Sequence, residues 1–190
     1  MAETAARPAS RATQLIGIAI PTLRELRAAL LARLAAGPGG DAGGVDALRA
    51  AGYAGGEAVY DAFEQWLAEE EGTAANNVSR IAPELTLPEF GERAARYFRA
   101  AGWGRVEFHA EQEQGVAKLT MEHCWEADAS GAASAPSCHV TTGMLAAFFG
   151  RLAGYPVSVM ETECCSAGAD RCRFLLGNSE VMAFKWEQMR

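Results

Sequence analysis

The chain has 190 residues, of which 49% are hydrophobic and 22% are charged, and this composition excludes a wholly disordered protein. Its 17 basic and 24 acidic residues give a net charge of −7, which disfavours binding to nucleic acids or anionic membranes. The sequence has no apolar run of about 18 residues, the length that a transmembrane helix needs. The apolar stretch Leu15–Ile20 is also too short for a signal peptide. We expect a cytoplasmic protein with a flexible tail at residues 1–15 and one domain at residues 16–190.

The first third of the chain predicts helices. Leucines at helical spacing predict a helix over Pro21–Ala36, which the proline begins. The glycine-rich residues 37–44 predict a linker. Beyond it, we expect a short helix over Val45–Ala51, ended by Gly52, and a separate amphipathic helix over Glu57–Glu70.

A capping box then predicts the start of a further helix, because Thr86 and Glu89 have the spacing that lets each satisfy a backbone N–H of the other. Gly102 ends this helix. Its inward face is expected to comprise Phe90, Ala94, Tyr97, Phe98 and Ala101.

Beyond Gly102 the apolar pattern changes to period two, which is typical of half-buried strands. A first strand is predicted around Val106–Ala110. After a turn at residues 112–115, a second strand is predicted with the inward residues Ala117, Leu119, Met121, His123 and Trp125.

The remainder predicts a loop of small residues, a helix over Val140–Leu152, strands over Pro156–Cys164 and Cys172–Leu176, and a last short helix after Asn178. Local hairpins and segregated helices favour an α+β domain with an antiparallel four-stranded sheet and helices packed mainly on one side.

All five cysteines lie beyond residue 123: Cys124, Cys138, Cys164, Cys165 and Cys172. An odd number in a cytoplasmic protein argues against a disulfide framework, and their clustering favours metal or redox chemistry. Cys124 taken alone is interpreted as an ordinary core cysteine. A redox switch formed by the adjacent Cys164 and Cys165 ranks last, because neighbouring cysteines rarely pair, although Cys165 could be a reactive spare thiol.

Three of these cysteines and one carboxylate are candidate zinc ligands. Cys138 precedes a predicted helix, whose N-terminus would stabilise a thiolate. A hairpin would bring Cys164 and Cys172 together. Glu161 shares the inward parity of its strand, and a buried carboxylate needs a charge partner or a metal. Three thiolates and one carboxylate complete a closed tetrahedral site, which is structural rather than catalytic.

Two points leave this assignment open on spacing alone. Glu161 and Cys164 have opposite strand parity, so both reach one point only if the chain bulges or turns between them. In addition, His123 and His139 are competing candidate ligands.

Residues 138–176 resemble the 4-vinyl reductase domain, whose pattern is a cysteine opening a helix, a glycine five residues on, and then V-x-E-x-x-C-x-x-x-G-x-x-x-C-x-F. The matching positions are Cys138, Gly143, Val159, Glu161, Cys164, Gly168, Cys172 and Phe174. A weaker resemblance extends over about Ala47–Gly177, with the motif-bearing zinc lobe at about residues 137–177.

The resemblance implies the fold of the NO-signalling and Golgi-transport ligand-binding superfamily, which TRAPP subunits share. In the family's phenol-responsive sensory domains, a Cys, a Glu and two further Cys hold a structural zinc, at positions that match Cys138, Glu161, Cys164 and Cys172. These sensors bind a small aromatic molecule with a Trp in a W-E-x-S stretch, which corresponds here to Trp125, with Asp128 in place of the Ser.

The resulting hypothesis is a zinc-stabilised, non-catalytic sensory or carrier domain for an apolar, aromatic or tetrapyrrole-like ligand. Its pocket is expected to be walled by Trp125, Phe108, Met144, Phe148 and Phe149, for which core packing is the alternative. We expect a homodimer that passes its signal to a partner protein.

Two other functions stay open. One is a reductase or accessory factor in reduction of a tetrapyrrole vinyl group, although no loop that would cradle a nicotinamide or flavin phosphate is present. The other is a ligand-free, TRAPP-like interaction scaffold, which predicts a filled interior and no pocket.

Overall fold

The computed structural model describes residues 18–72, 82–111, 115–128 and 131–188, so the expected tail at residues 1–15 lies outside the described residues. The described part contains five α-helices and four strands. In chain order these are α1 (Ile20–Ala35), α2 (Gly40–Glu70), α3 (Leu87–Ala100), β1 (Arg105–Glu111), β2 (Val116–Glu122), α4 (His139–Ala153), β3 (Ser158–Glu163), β4 (Cys172–Gly177) and α5 (Ser179–Gln188).

The four strands form one antiparallel sheet in the order β1-β2-β4-β3, so β1 and β3 are its edges. Helices α3 and α4 contact these two edge strands, and α2 packs along α4. The predicted α+β fold is therefore confirmed. No helix within the described ranges is both long enough and apolar enough to cross a membrane.

Helix α2 corrects the prediction of two helices separated at Gly52. The helix runs unbroken from Gly40 to Glu70. Gly52 is a contact point rather than a helix end, because a Cβ atom there would lie 2.0 Å from the carbonyl oxygen of Val140 on α4. Gly143 on α4 does the same in return, since its Cβ would lie 2.0 Å from the carbonyl oxygen of Arg49. The two helix backbones touch where only glycine fits.

Helix α3 begins with the predicted capping box. The Glu89 carboxylate accepts hydrogen bonds from the Thr86 backbone N–H at 2.9 Å and from its hydroxyl at 2.6 Å. The expected inward residues Phe90, Ala94, Tyr97 and Phe98 are buried. The predicted inward position of Ala101 is wrong: this residue is exposed, because the helix ends at Ala100.

Strand β2 is shorter than its apolar parity predicts. It ends at Glu122, and His123 adopts a positive φ of 54° that turns the chain out of the sheet. His123 is exposed, so its predicted inward position is wrong. Trp125 is buried, but in the turn after the strand rather than on the strand face.

Candidate metal centre

Three elements and one turn bring the four predicted zinc ligands together. Cys138 is the N-cap of α4, Glu161 lies on β3, Cys164 comes directly after that strand, and Cys172 begins β4. The three sulfur atoms and one carboxylate oxygen all lie within 4.8 Å of one another. The three cysteines are essentially buried. This group could therefore hold a metal ion.

The spacing of the sulfur atoms suits a tetrahedral ion. The Cys138 Sγ atom lies 3.6 Å from that of Cys164 and 3.8 Å from that of Cys172, and the Cys164 and Cys172 sulfurs are 4.0 Å apart. Zinc–sulfur bonds of about 2.3 Å in a tetrahedron place two sulfurs about 3.8 Å apart. The three thiols thus form one face of a zinc-sized tetrahedron.

An irregularity in β3 resolves the parity conflict between Glu161 and Cys164. The pairing of β3 with β4 shifts register between Glu161 and Glu163. The extra residue reverses the facing of the later side chains, which is the effect of a β-bulge. Glu161 and Cys164 can therefore point at the same place.

Glu161 has a free oxygen for a cation. Its Oε2 atom accepts a hydrogen bond from the Cys138 backbone N–H at 2.8 Å, while its buried Oε1 atom has no hydrogen-bond partner among the described residues. Burial raises the pKa of Glu161 to about 8. A divalent cation at Oε1 would hold the carboxylate ionised, so the donor set fits a metal.

A tight turn joins Cys164 to Cys172. A short 3₁₀ helix, Cys165–Ala167, is closed by Gly168 at a φ of +91°, a conformation that favours glycine. The Cys164 carbonyl accepts hydrogen bonds from the N–H groups of Ala167 and Ala169 at 2.9 and 3.1 Å. These bonds hold the backbone on both sides of the expected ligand.

Neither histidine joins the group of donors that the structure places together in its described part. His123 is exposed beyond β2. His139 begins α4 and is half-buried, and burial lowers its pKa to about 4. Their role as competing ligands has no geometric support here.

Sequence reasoning missed the position of Cys124. Its Sγ atom lies 3.8 Å from that of Cys138 and 3.7 Å from the hydroxyl of Thr141. Its side chain is 2% exposed. The thiol therefore adjoins the metal-binding group, and the apolar parity of β2 gave no sign of this because the strand ends before it.

Glu126, two residues further, ties helix α1 to the start of α4. Its carboxylate accepts the backbone N–H groups of Val140 and Thr141 at 3.0 and 2.8 Å and pairs with Arg27 at 2.7 Å. Arg27 also donates to the Ser137 carbonyl. Burial raises the pKa of Glu126, while the adjacent Arg27 charge opposes that shift. The acid caps the helix that carries Cys138.

The expected pocket residues separate into two places. Met144, Phe148 and Phe149 are buried in the central core, with Phe108 packed against them. Phe108 and Phe149 stack with ring centroids 5.5 Å apart, and Phe148 and Phe149 meet edge to face at 5.3 Å. These side chains contact one another rather than facing a cavity.

Trp125 lies outside that core, against Trp103 at a ring distance of 5.8 Å. Its backbone carbonyl accepts a hydrogen bond from Arg24 of α1 at 2.8 Å. Its indole N–H is buried and has no hydrogen-bond partner among the described residues. A buried donor of this kind is costly unless a partner arrives, so Trp125 is a candidate ligand contact.

A separate surface groove of about 330 Å³ lies between α2, α4 and β3. Its lining is mostly apolar and includes none of the five expected pocket residues: Arg49, Ala50, Tyr53, Thr142, Gly143, Ala146 and Val159.

Comparison with known families agrees with the resemblance seen in the sequence. Residues 118–178 match the family model of the 4-vinyl reductase domain, and this region holds the four candidate metal ligands. The resemblance to 4-vinyl reductase domains is thereby confirmed over these residues. No curated protein matches the chain significantly in sequence.

Solved structures show the same fold at low sequence identity. The phenol-responsive sensory domain of the transcription activator PoxR, crystallised with phenol, is 18% identical, with a TM-score of 0.62 over 90% of this chain and 82% of the other. A trafficking protein particle complex subunit 3 from Naegleria fowleri, covalently bound to palmitic acid, is 13% identical, with a TM-score of 0.58 over 83% and 93%. A vinyl-4-reductase family protein from Methanocaldococcus jannaschii is 14% identical, with a TM-score of 0.50 over 86% and 83%.

Proposed function

We propose that this protein is a zinc-stabilised domain that binds a small aromatic molecule and has no catalytic activity of its own. The observation that carries the proposal is the convergence of Cys138, Glu161, Cys164 and Cys172 on one point. Such a closed set of four ligands leaves zinc no open position for a substrate, so its role is to hold the fold together.

The metal would join three parts of the domain that otherwise have separate contacts. Cys138 belongs to α4, Glu161 and Cys164 belong to β3 and the turn after it, and Cys172 belongs to β4. Zinc favours thiolate donors in tetrahedral geometry, and the sulfur spacing suits it. One ion would fix the helix that packs on α2 to the edge of the sheet.

The ligand site is proposed beside Trp125, next to the metal centre along the chain. The free indole N–H would donate a hydrogen bond to an oxygen of the ligand, and Trp103 and Trp125 would supply aromatic surface. A phenol has both features. That the PoxR sensory domain responds to phenol supports this choice of ligand class.

The proposed ligand contact has a direct test. Isothermal titration of the metal-loaded protein with phenol is expected to show one site per chain. Trp125→Phe keeps a ring but removes the N–H, and it should weaken binding by about tenfold, the value of one neutral hydrogen bond. Trp103→Phe is the matched control and should change affinity less. Equal affinity of Trp125→Phe and wild type would contradict the proposed contact.

The filled aromatic core favours a second candidate, a ligand-free interaction scaffold. Phe148, Phe149 and Met144 are at most 6% exposed and pack together. If phenol and related aromatics produce no heat and no change in tryptophan fluorescence, the scaffold becomes the better account. The remaining alternative, reduction of a tetrapyrrole vinyl group, has no supporting site in the described residues.

The expected surroundings of this function are also proposals. We infer a cytoplasmic homodimer that transmits ligand binding to a partner protein. Sedimentation equilibrium of the metal-loaded protein, with and without phenol, tests the dimer.

A further inference from the structure

The four-ligand arrangement leaves over a buried thiol, Cys124. Its sulfur lies as far from the Cys138 sulfur, 3.8 Å, as the Cys172 sulfur does. That distance is an edge of a zinc–thiolate tetrahedron, about 3.8 Å. With Cys124 included, the centre has five potential donors, four of them thiols.

Glu161 is the donor best placed to leave such a centre. It lies on β3, an edge strand that pairs with β4 alone in the described sheet, and next to the register shift. It is also partly exposed, whereas Cys124 is 2% exposed. A carboxylate is the hardest of the five donors, and thiophilic metals prefer a thiolate when one is within reach.

We propose that Cys124 is a reserve ligand, whose thiolate takes the fourth metal position when Glu161 does not occupy it. The inference rests on the proposed metal site. The exchange breaks the bond between the metal and the Glu161 oxygen and forms one to the Cys124 sulfur. The thiol proton of Cys124 passes to the released carboxylate, directly or through water. Three thiolates and a carboxylate become four thiolates and a neutral acid, so the charge buried in the core is unchanged.

The exchange would also reach the proposed ligand site. Trp125 is the next residue after Cys124 in the chain, and Glu126 then caps α4 through Val140 and Thr141. A movement of the Cys124 sulfur onto the metal would therefore shift the tryptophan.

Cobalt(II) reports the number of thiolates at such a centre, because each thiolate adds to its charge-transfer absorption. Under reducing conditions, apoprotein is titrated with Co²⁺ in five forms: wild type, Glu161→Gln, Cys124→Ser, and Glu161→Gln combined with Cys124→Ser or with Cys165→Ser. Cys165 is the matched control because it lies beside Cys164 yet outside the donor group that the described residues form.

We expect the band to grow by about one third in Glu161→Gln, from three thiolates to four. Cys124→Ser alone should keep the wild-type band. Adding Cys124→Ser to Glu161→Gln should return the band to three thiolates and lower metal affinity by at least about tenfold. Adding Cys165→Ser should leave the four-thiolate band intact.

Other results overturn the inference. A Glu161→Gln band equal to that of wild type would show that Cys124 does not bind. Loss of the larger band with Cys165→Ser would assign the reserve position to Cys165. A wild type that binds no cobalt would instead remove the proposed metal site itself.

A second measurement needs no change at Glu161, in case that variant fails to fold. Cd²⁺ is softer than zinc and should select the all-thiolate set in the wild-type protein. Its charge-transfer absorption is expected to fall by about one quarter in Cys124→Ser, from four thiolates to three. An unchanged absorption contradicts the inference.

Discussion

The carboxylate of Glu161 accepts a hydrogen bond from the backbone N–H of Cys138 across 2.8 Å, joining an edge strand to the N-cap of a helix. The contact positions two of the four candidate ligands relative to each other. It occupies one carboxylate oxygen and leaves the other, buried and without a partner among the described residues, for a cation. A metal centre explains why a carboxyl group lies beside three thiols in a largely apolar region.

The first prediction concerns Cys172→Ser. Removing this buried ligand is expected to abolish stoichiometric zinc binding and to lower the free energy of unfolding by about 3–5 kcal/mol, because a structural metal contributes directly to folding. Urea denaturation and metal analysis check it. Cys165→Ser is the control and should keep both properties, since Cys165 lies outside the donor group that the described residues form. Unchanged zinc content in Cys172→Ser would contradict the ligand assignment.

The second prediction concerns acid release of the metal. Ligand thiols and the Glu161 carboxyl must lose protons to bind zinc, so affinity should fall as pH falls. Burial raises the pKa of Glu161 to about 8 in the metal-free fold, which makes protons competitive near neutrality. Competition with a chromogenic chelator between pH 8 and pH 5 measures this. A constant affinity across that range would contradict a thiolate and carboxylate site.

The third prediction concerns the contact between α2 and α4. Gly52→Ala should destabilise the protein by about 2 kcal/mol or more, because its Cβ would lie 2.0 Å from the Val140 carbonyl oxygen. Gly55→Ala is the matched control in the same helix, where a Cβ meets nothing within 4 Å. The control should gain up to about 1 kcal/mol from helix propensity. Thermal unfolding of both variants decides, and equal stabilisation of the two would refute the close packing.

The fourth prediction concerns the ion pair that holds α1 to the metal-bearing helix. Glu126→Gln is expected to cost about 3–5 kcal/mol, because it leaves the Arg27 charge, 15% exposed, without its partner and weakens the cap of α4. The exposed pair of Arg151 and Asp61 is the comparison, and Arg151→Gln should cost less than about 1 kcal/mol. Chemical denaturation of both variants measures the two losses. Similar losses would argue against a structural role for Glu126.

Local signals in the sequence predicted much of the fold. The capping box at Thr86 marked the start of α3, and alternating apolar residues marked β1. The error at Gly52 has a physical cause. Glycine ends helices, but it also lets two helices touch, and only the partner backbone at Val140 distinguishes these uses of Gly52.

The candidate site was predictable in its donors but not in its surroundings. Opposite parity of Glu161 and Cys164 implied a bulge, and the strand pairing contains a register shift between Glu161 and Glu163. Cys124 was interpreted as a core residue because strand parity carries no information beyond the strand end at Glu122. The partner of Glu126, Arg27, lies 99 positions away in the chain, so no local pattern could reveal it.

Metal analysis of the purified protein tests the central claim most directly. Extended X-ray absorption at the zinc edge, combined with elemental analysis per chain, counts both the metal and its ligands. One zinc per chain with three sulfur ligands at about 2.3 Å and one oxygen at about 2.0–2.2 Å is the predicted result. A protein that carries no zinc after reconstitution, with all five thiols free, would contradict the account.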